Sequence, residues 1–186
     1  MKRIFDILIS LSLLIIVFIP LILVVILIKL TSKGPAIYWS QRVGRKNKLF
    51  PMPKFRSMKS DSPQVATHLL SNSENYLTPI GSFLRKTSID ELPQIYSILK
   101  GDMSLVGPRP ALFNQDDLVE LRTSLGVDDL IPGVTGWAQI NGRDDIPIPD
   151  KVLLDQYYLN NQSFLLDIKI IFLTAIAVIK SDNVSH

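Results

Sequence analysis

The sequence predicts an α+β fold that is mainly helical: a single compact cytosolic domain with a small β-hairpin, preceded by one proline-kinked membrane helix. Three observations predict it. Residues 7–28 form an uncharged run of 22 positions broken only by Ser10, Ser12 and Pro20, and about 20 apolar residues suffice to cross a hydrocarbon core. Beyond that run, apolar side chains recur every three or four positions in several segments, as they do on amphipathic helices. One pair of β-prone stretches flanks a glycine and basic turn, the pattern of a hairpin. The division that follows is residues 1–33 in the membrane and residues 34–186 as the cytosolic domain with interfacial helices.

The membrane run has Lys2 and Arg3 on one side and Lys29 and Lys33 on the other. The positive-inside bias therefore selects no direction, and both ends read as cytoplasmic. Pro20, near the middle, lacks an amide proton and clashes with the carbonyl of Ile16, which bends a helix at that point. The expected geometry is re-entrant: the helix enters one leaflet, bends at Pro20 and returns. A straight, kinked span is the alternative, since bilayers tolerate prolines. No small-x-small cleavage site precedes Lys29, which argues against a removable signal peptide.

Gly34 and Pro35 close the membrane segment. Residues 36–41 and 54–58 are the hairpin strands, with Pro51 and Pro53 marking a sheet edge. A strand at 54–58 puts Lys54 and Arg56 on one face, aiming two cations at one spot. Residues 60–73, rich in Ser, Asn and Thr, read as a surface loop. Helices are expected over 80–85, 91–99, 116–124 and 151–160. Residues 107–110 are a forced break, and 132–142 a glycine-punctuated loop. The apolar stretch 164–180 is shorter than a clear span and reads as a core or interfacial helix.

Composition excludes several chemistries. The chain has no cysteine, so disulfides, thiolate zinc sites and cysteine nucleophiles are out, in keeping with a reducing compartment. Two histidines, His68 and His186, do not make a histidine-rich metal site. A net charge of +3 implies no nucleic acid, although the basic stretch 42–48 suits phosphates or anionic lipid.

Asp90 and Glu91 are adjacent carboxylates at a predicted helix start. One reading is structural: Ser88 with Glu91 fits a capping box, and Asp90 fits an N-cap with Pro93 in the first turn. The other is chemical. Lys54, Arg56, Arg85, Arg109 and Arg143 stand in loops between elements, where sites are built. Carboxylates among guanidinium groups suit phosphate chemistry, because arginine forks grip phosphoryl oxygens and a divalent metal bridges carboxylate to diphosphate.

Four motifs in order, KFRSM from Lys54, SIDELPQ from Ser88, LKGDMSLVGPRP from Leu99 and PGVTGWAQINGR from Pro132, together resemble the bacterial initiating sugar transferases, or monotopic phosphoglycosyl transferases. The resemblance runs to about residue 180 and is to the minimal form of that family. It implies transfer of a sugar-1-phosphate from a UDP-sugar to undecaprenyl phosphate with release of UMP, the first membrane step of surface glycan synthesis. Asp90 would attack the β-phosphate and carry a covalent phosphosugar, Glu91 would hold Mg2+, and Arg85 and Arg109 would bind phosphate oxygens. Lys54, Arg56, Arg143 and Asp155 would belong to the substrate pocket. The implied location is the bacterial inner membrane, with the catalytic domain on the cytoplasmic face and membrane lipid as a partner. One departure stands out: Ile19 precedes Pro20 where the family often has serine. The sugar, the pathway and any homo-oligomer stay open. A membrane-anchored binding protein, or a single displacement with Asp90 as base, are the competing functions.

Overall fold

The computed structural model describes residues 1–59, 62, 73–142 and 146–180. Helix α1 (Lys2–Thr31) is followed by strands β1 (Ile37–Val43) and β2 (Leu49–Phe55). Then come α2 (Gly81–Lys86), a 3₁₀ turn at Ile89–Gln94 leading into α3 (Ile95–Lys100), β3 (Ser104–Val106) and α4 (Asp116–Ser124). The chain closes with β4 (Gly133–Thr135), α5 (Trp137–Asn141), α6 (Ile148–Asn160) and α7 (Phe164–Lys180). The expected class holds: mostly helical, with small sheets and one N-terminal apolar helix. Most of the loop expected at 60–73 lies outside the described residues.

The hairpin forms, with both strands in a different frame from the one expected. Antiparallel pairing runs from Ile37 opposite Phe55 to Val43 opposite Leu49, so β2 includes Pro51 and Pro53 and ends before Arg56. The Arg56 amide donates to the Ala36 carbonyl at 2.9 Å. Hydrogen-bonded positions alternate along a strand, so positions of even number on β2 face β1 with their amides. Both prolines fall on the other parity, where no donor is missed.

A second sheet was not expected. Strands β3 and β4 pair in parallel, Ser104 with Gly133 and Val106 with Thr135. Strands of three residues carry too little periodicity to be read from sequence. Glycine is what lets them approach: a Cβ on Gly133 would lie 2.1 Å from the Gly107 nitrogen, and one on Gly136 would lie 2.1 Å from the Gly107 carbonyl oxygen. The loops after β3 and β4 are thereby laid backbone against backbone.

The main core gathers Val106, Leu118, Val127, Leu130, Val152, Tyr158 and Ile170 from the elements after residue 104. A smaller one joins Phe50, Met52, Ile98 and Met103. A third unites Val24 and Ile28 of α1 with Ala36, Phe55 and Leu84, and Ile89 packs against it.

Helix α1 is long and apolar enough to cross a membrane, and it alone is so among the described residues. Pro20 lies inside it. Both of its ends are tied to the domain. At the start, Lys2 donates to Asp167 at 2.7 Å and to the Tyr158 hydroxyl at 3.1 Å. Arg3 donates to the carbonyls of Ile98 and Leu99, covering the open end of α3. Buried Asp6 accepts from the Ser104 hydroxyl at 2.8 Å. At the far end, Arg56 donates to the Ser32 carbonyl at 3.1 Å, to its hydroxyl at 2.7 Å, and to the Lys33 carbonyl. The middle of the helix is bare: Ile15, Ile16 and Ile19 are 79%, 73% and 69% exposed.

Candidate active site

Asp90 and Glu91 sit on the 3₁₀ turn Ile89–Gln94, whose N-cap is Ser88. Ser88 makes no side-chain cap bond and has φ 54°, a left-handed conformation that a non-glycine residue adopts at a cost of about 1–2 kcal/mol. The capping box expected from Ser88 and Glu91 does not form, because the Glu91 carboxylate is used elsewhere. Successive residues of a 3₁₀ turn point about 120° apart, so the two neighbouring carboxylates enter different surroundings.

Glu91 is held by two cations. Lys54 donates to its Oε1 at 2.6 Å and Arg109 to the same atom at 2.9 Å. Burial would raise its pKa, but Arg109 and Lys54 outweigh that and keep it well below the usual carboxylate range. Burial in turn lowers the pKa of Lys54, against the pull of Glu91. Asp90 differs. It is only 7% exposed, and burial pushes its pKa up to about 6, opposed by the charge of Lys54 and helped by that of Glu91. Arg85, on α2, is also close enough to interact with both carboxylates, and burial lowers its pKa. Two adjacent carboxyls thus have separated titrations, a division of roles typical of acid–base and nucleophilic centres. The site holds more positive than negative charge, as a diphosphate would require.

The apolar neighbours of these residues explain how they are aimed. Phe55, Leu84 and Ile89 follow or precede Lys54, Arg85 and Asp90 in sequence, and all three pack with Val24 and Ile28 of α1. Alternation on β2, and a turn of about 100–120° between successive residues on α2 and the 3₁₀ turn, then direct the polar neighbours away from α1, into the site. Helix α1 is its floor.

Three of the residues expected from sequence are therefore brought to Asp90 and Glu91 or near them: Lys54, Arg85 and Arg109, with Glu91 the meeting point. Arg56 is not among them, because its guanidinium is spent on the last carbonyls of α1. Asp155 also lies away from the carboxylates, 1% exposed and paired with Arg122 through contacts of 2.6 and 3.0 Å. Burial raises its pKa, against the charge of Arg122. Arg143 is outside the described residues. Sequence reasoning missed Arg122, which stands in none of the four motifs, and the role of Arg42, which donates to the Pro110 carbonyl at 3.2 Å.

Among the described residues no three carboxylates or histidines cluster as a metal cage. Two neighbouring carboxylates fit magnesium better than a dedicated cage would, since that ion usually takes one or two carboxylates and completes its shell with water and substrate phosphates.

Fold and site define an α+β protein with one long apolar helix, whose carboxylate pair is set among cations in an arrangement suited to phosphate chemistry. The chain belongs to the bacterial sugar transferase family: it matches the family described as "Bacterial sugar transferase" over residues 1–181. It is 42% identical over 201 residues to the undecaprenyl-phosphate galactose phosphotransferase of Salmonella typhimurium, covering 98% of this chain and 41% of that protein. It is 40% identical over 188 residues to the uncharacterized sugar transferase EpsL of Bacillus subtilis, covering 100% of this chain and 91% of that one. Against the exopolysaccharide production protein ExoY of Sinorhizobium fredii it is 36% identical over 192 residues, with 95% and 84% covered. The chain thus spans less than half of the Salmonella relative and most of the other two.

Proposed function

We propose that this chain transfers a sugar-1-phosphate from a UDP-sugar to undecaprenyl phosphate at the cytoplasmic face of the bacterial inner membrane. The observation that carries the reading is the asymmetry of the carboxylate pair: Glu91 is clamped by Lys54 and Arg109, whereas Asp90 is buried with its pKa near 6. A clamped carboxylate organises charge, and a buried one with raised basicity is suited to attack. In the first displacement an Asp90 oxygen bonds to the β-phosphorus, the bond from that phosphorus to the bridging oxygen breaks, and UMP leaves. In the second, an oxygen of undecaprenyl phosphate bonds to the same phosphorus and the Asp90 carboxylate departs. One site then serves both substrates in turn.

Arg109 and Arg85 bind phosphate oxygens as their charge is redistributed. Lys54 holds Glu91 in place. Magnesium would be held by Glu91 together with the substrate diphosphate and would neutralise developing negative charge. Purified protein given a panel of UDP-sugars and undecaprenyl phosphate tests the reading: UMP release with one of them is expected, and none with any would overturn it.

The rate should carry an acid limb. Asp90 must be ionised to attack, so kcat/KM should be constant above pH 7 and fall about tenfold per unit below a midpoint near 6. A pH profile with its midpoint near 4 would show that the attacking group is not Asp90 in this environment.

Attachment of both α1 ends to one body supports the re-entrant arrangement. A straight helix of 30 residues measures about 45 Å at 1.5 Å per residue, and the bare part is its middle. Cysteines substituted at Lys2 and at Lys33 should therefore react with a membrane-impermeant reagent from the same side. Labelling from opposite sides would establish a span.

A further inference from the structure

The loop that carries Arg109 reads Gly107, Pro108, Arg109, Pro110, and two of its four residues have no amide proton. Apart from the Gly107 amide, which donates to the Thr135 carbonyl at 2.8 Å, it is held by its carbonyls. That of Pro108 accepts from the Gly133 amide at 2.9 Å, that of Pro110 from Arg42 at 3.2 Å, and that of Ala111 from the Val43 amide at 2.9 Å. The carbonyl of Arg109 itself accepts from Nη1 of Arg122 at 2.9 Å.

Arg122 is fixed for this purpose by a second contact. Its Nε and Nη2 both donate to Oδ2 of Asp155, at 3.0 and 2.6 Å, which leaves Nη1 for the loop and sets the plane of the guanidinium. Both side chains are buried: Arg122 is 8% exposed and Asp155 1%. Arg122 lies on α4 and Asp155 on α6, in the main core. The line of contacts therefore runs from α6 through α4 to the Arg109 backbone, and from the Arg109 side chain to Glu91 at 2.9 Å.

We infer that Arg122 is a positioning residue for the reaction, oriented by Asp155 and acting through the backbone of Arg109 on the clamp around Glu91. The inference rests on the function proposed above. A bland alternative exists, in which the pair only ties α4 to α6. The two differ in what happens when the charges are removed together. Replacing a buried ion pair by apolar residues of similar size commonly preserves the fold, so Arg122→Met with Asp155→Leu should melt cooperatively near the wild-type temperature. Arg122→Lys keeps the charge opposite Asp155 but cannot make all three contacts with one planar fork.

Two measurements on the full-length protein in detergent or nanodiscs decide the matter. Hydrogen exchange of the peptide covering residues 105–113 should accelerate by about tenfold or more in both variants, while peptides from α6 and α7 keep their rates. Unchanged exchange in that peptide would overturn the inference, whether or not a substrate has been found. UMP release should fall by roughly 10–100-fold in both variants, as expected for a small misplacement of a site group, and by no more than about twofold when the same changes are made in Arg109→Ala. Full additivity with Arg109→Ala would also overturn it. A wild type that releases no UMP from any UDP-sugar would instead remove the proposed function and leave the exchange result standing on its own.

Discussion

Asp90→Asn should abolish UMP release, by on the order of 10³-fold or more, and leave the fold intact. Asparagine has nearly the shape of aspartate, and its amide oxygen is a poor acceptor for a phosphoryl group. The clamp of Lys54 and Arg109 on Glu91 does not involve the substituted group. Stability should hold or rise slightly: the substitution removes a carboxylate whose burial is unfavourable to its charge. Intact mass of the wild type quenched with UDP-sugar alone should show a phosphosugar adduct, and the variant should show none. An active Asp90→Asn enzyme would exclude Asp90 as the nucleophile. A wild type that turns over without any adduct would favour direct transfer.

The second large effect is on stability. Gly133→Ala would put a methyl group 2.1 Å from the Gly107 nitrogen and 2.7 Å from its Cα. Backbone cannot move aside as a side-chain tip can, so β3 and β4 must separate. The expected loss is about 3 kcal/mol or more, at the upper end of overpacking effects, or roughly 6–12 °C in Tm for a chain of this size. Gly126→Ala is the comparison. Its Cβ would meet nothing closer than Leu159 at 3.9 Å, but its φ of 72° is left-handed, so about 1 kcal/mol is expected. Thermal unfolding of both variants checks the ranking, and a Gly133→Ala protein as stable as Gly126→Ala would show that the two loops are not in close contact.

Much of this architecture could be read from residue order. An uncharged run and its flanking lysines marked α1, and three- and four-residue spacing marked α2, α3, α4 and α6. The carboxylate pair could be found but not interpreted, because a helix cap and a nucleophile have the same local signature. What the fold adds is Lys54, which lies 37 positions from Glu91 in sequence, and Arg109, which lies 18 away. Convergence over such distances is a property of packing. The same limit explains Arg56: alternation put it beside Lys54, while the open carbonyls of α1, which only the folded chain brings near, claimed its guanidinium. Arg122 had no signal at all. An arginine on an amphipathic helix reads as surface, and only the buried Asp155 opposite makes it interior.

The packing of Phe55, Leu84 and Ile89 against Val24 and Ile28 bears on the energetics of the proposed acceptor lipid. Withdrawing a polyprenyl tail from hydrocarbon costs about 0.8 kcal/mol for each CH₂ brought into water, which over a whole tail is on the order of tens of kcal/mol. No single active site recovers that by binding. With α1 in the bilayer and the proposed lipid as acceptor, a reaction centre floored by that helix would remove the need for extraction: the phosphate head would rise to the carboxylates while the tail stayed dissolved, and the search for the acceptor would become diffusion in two dimensions.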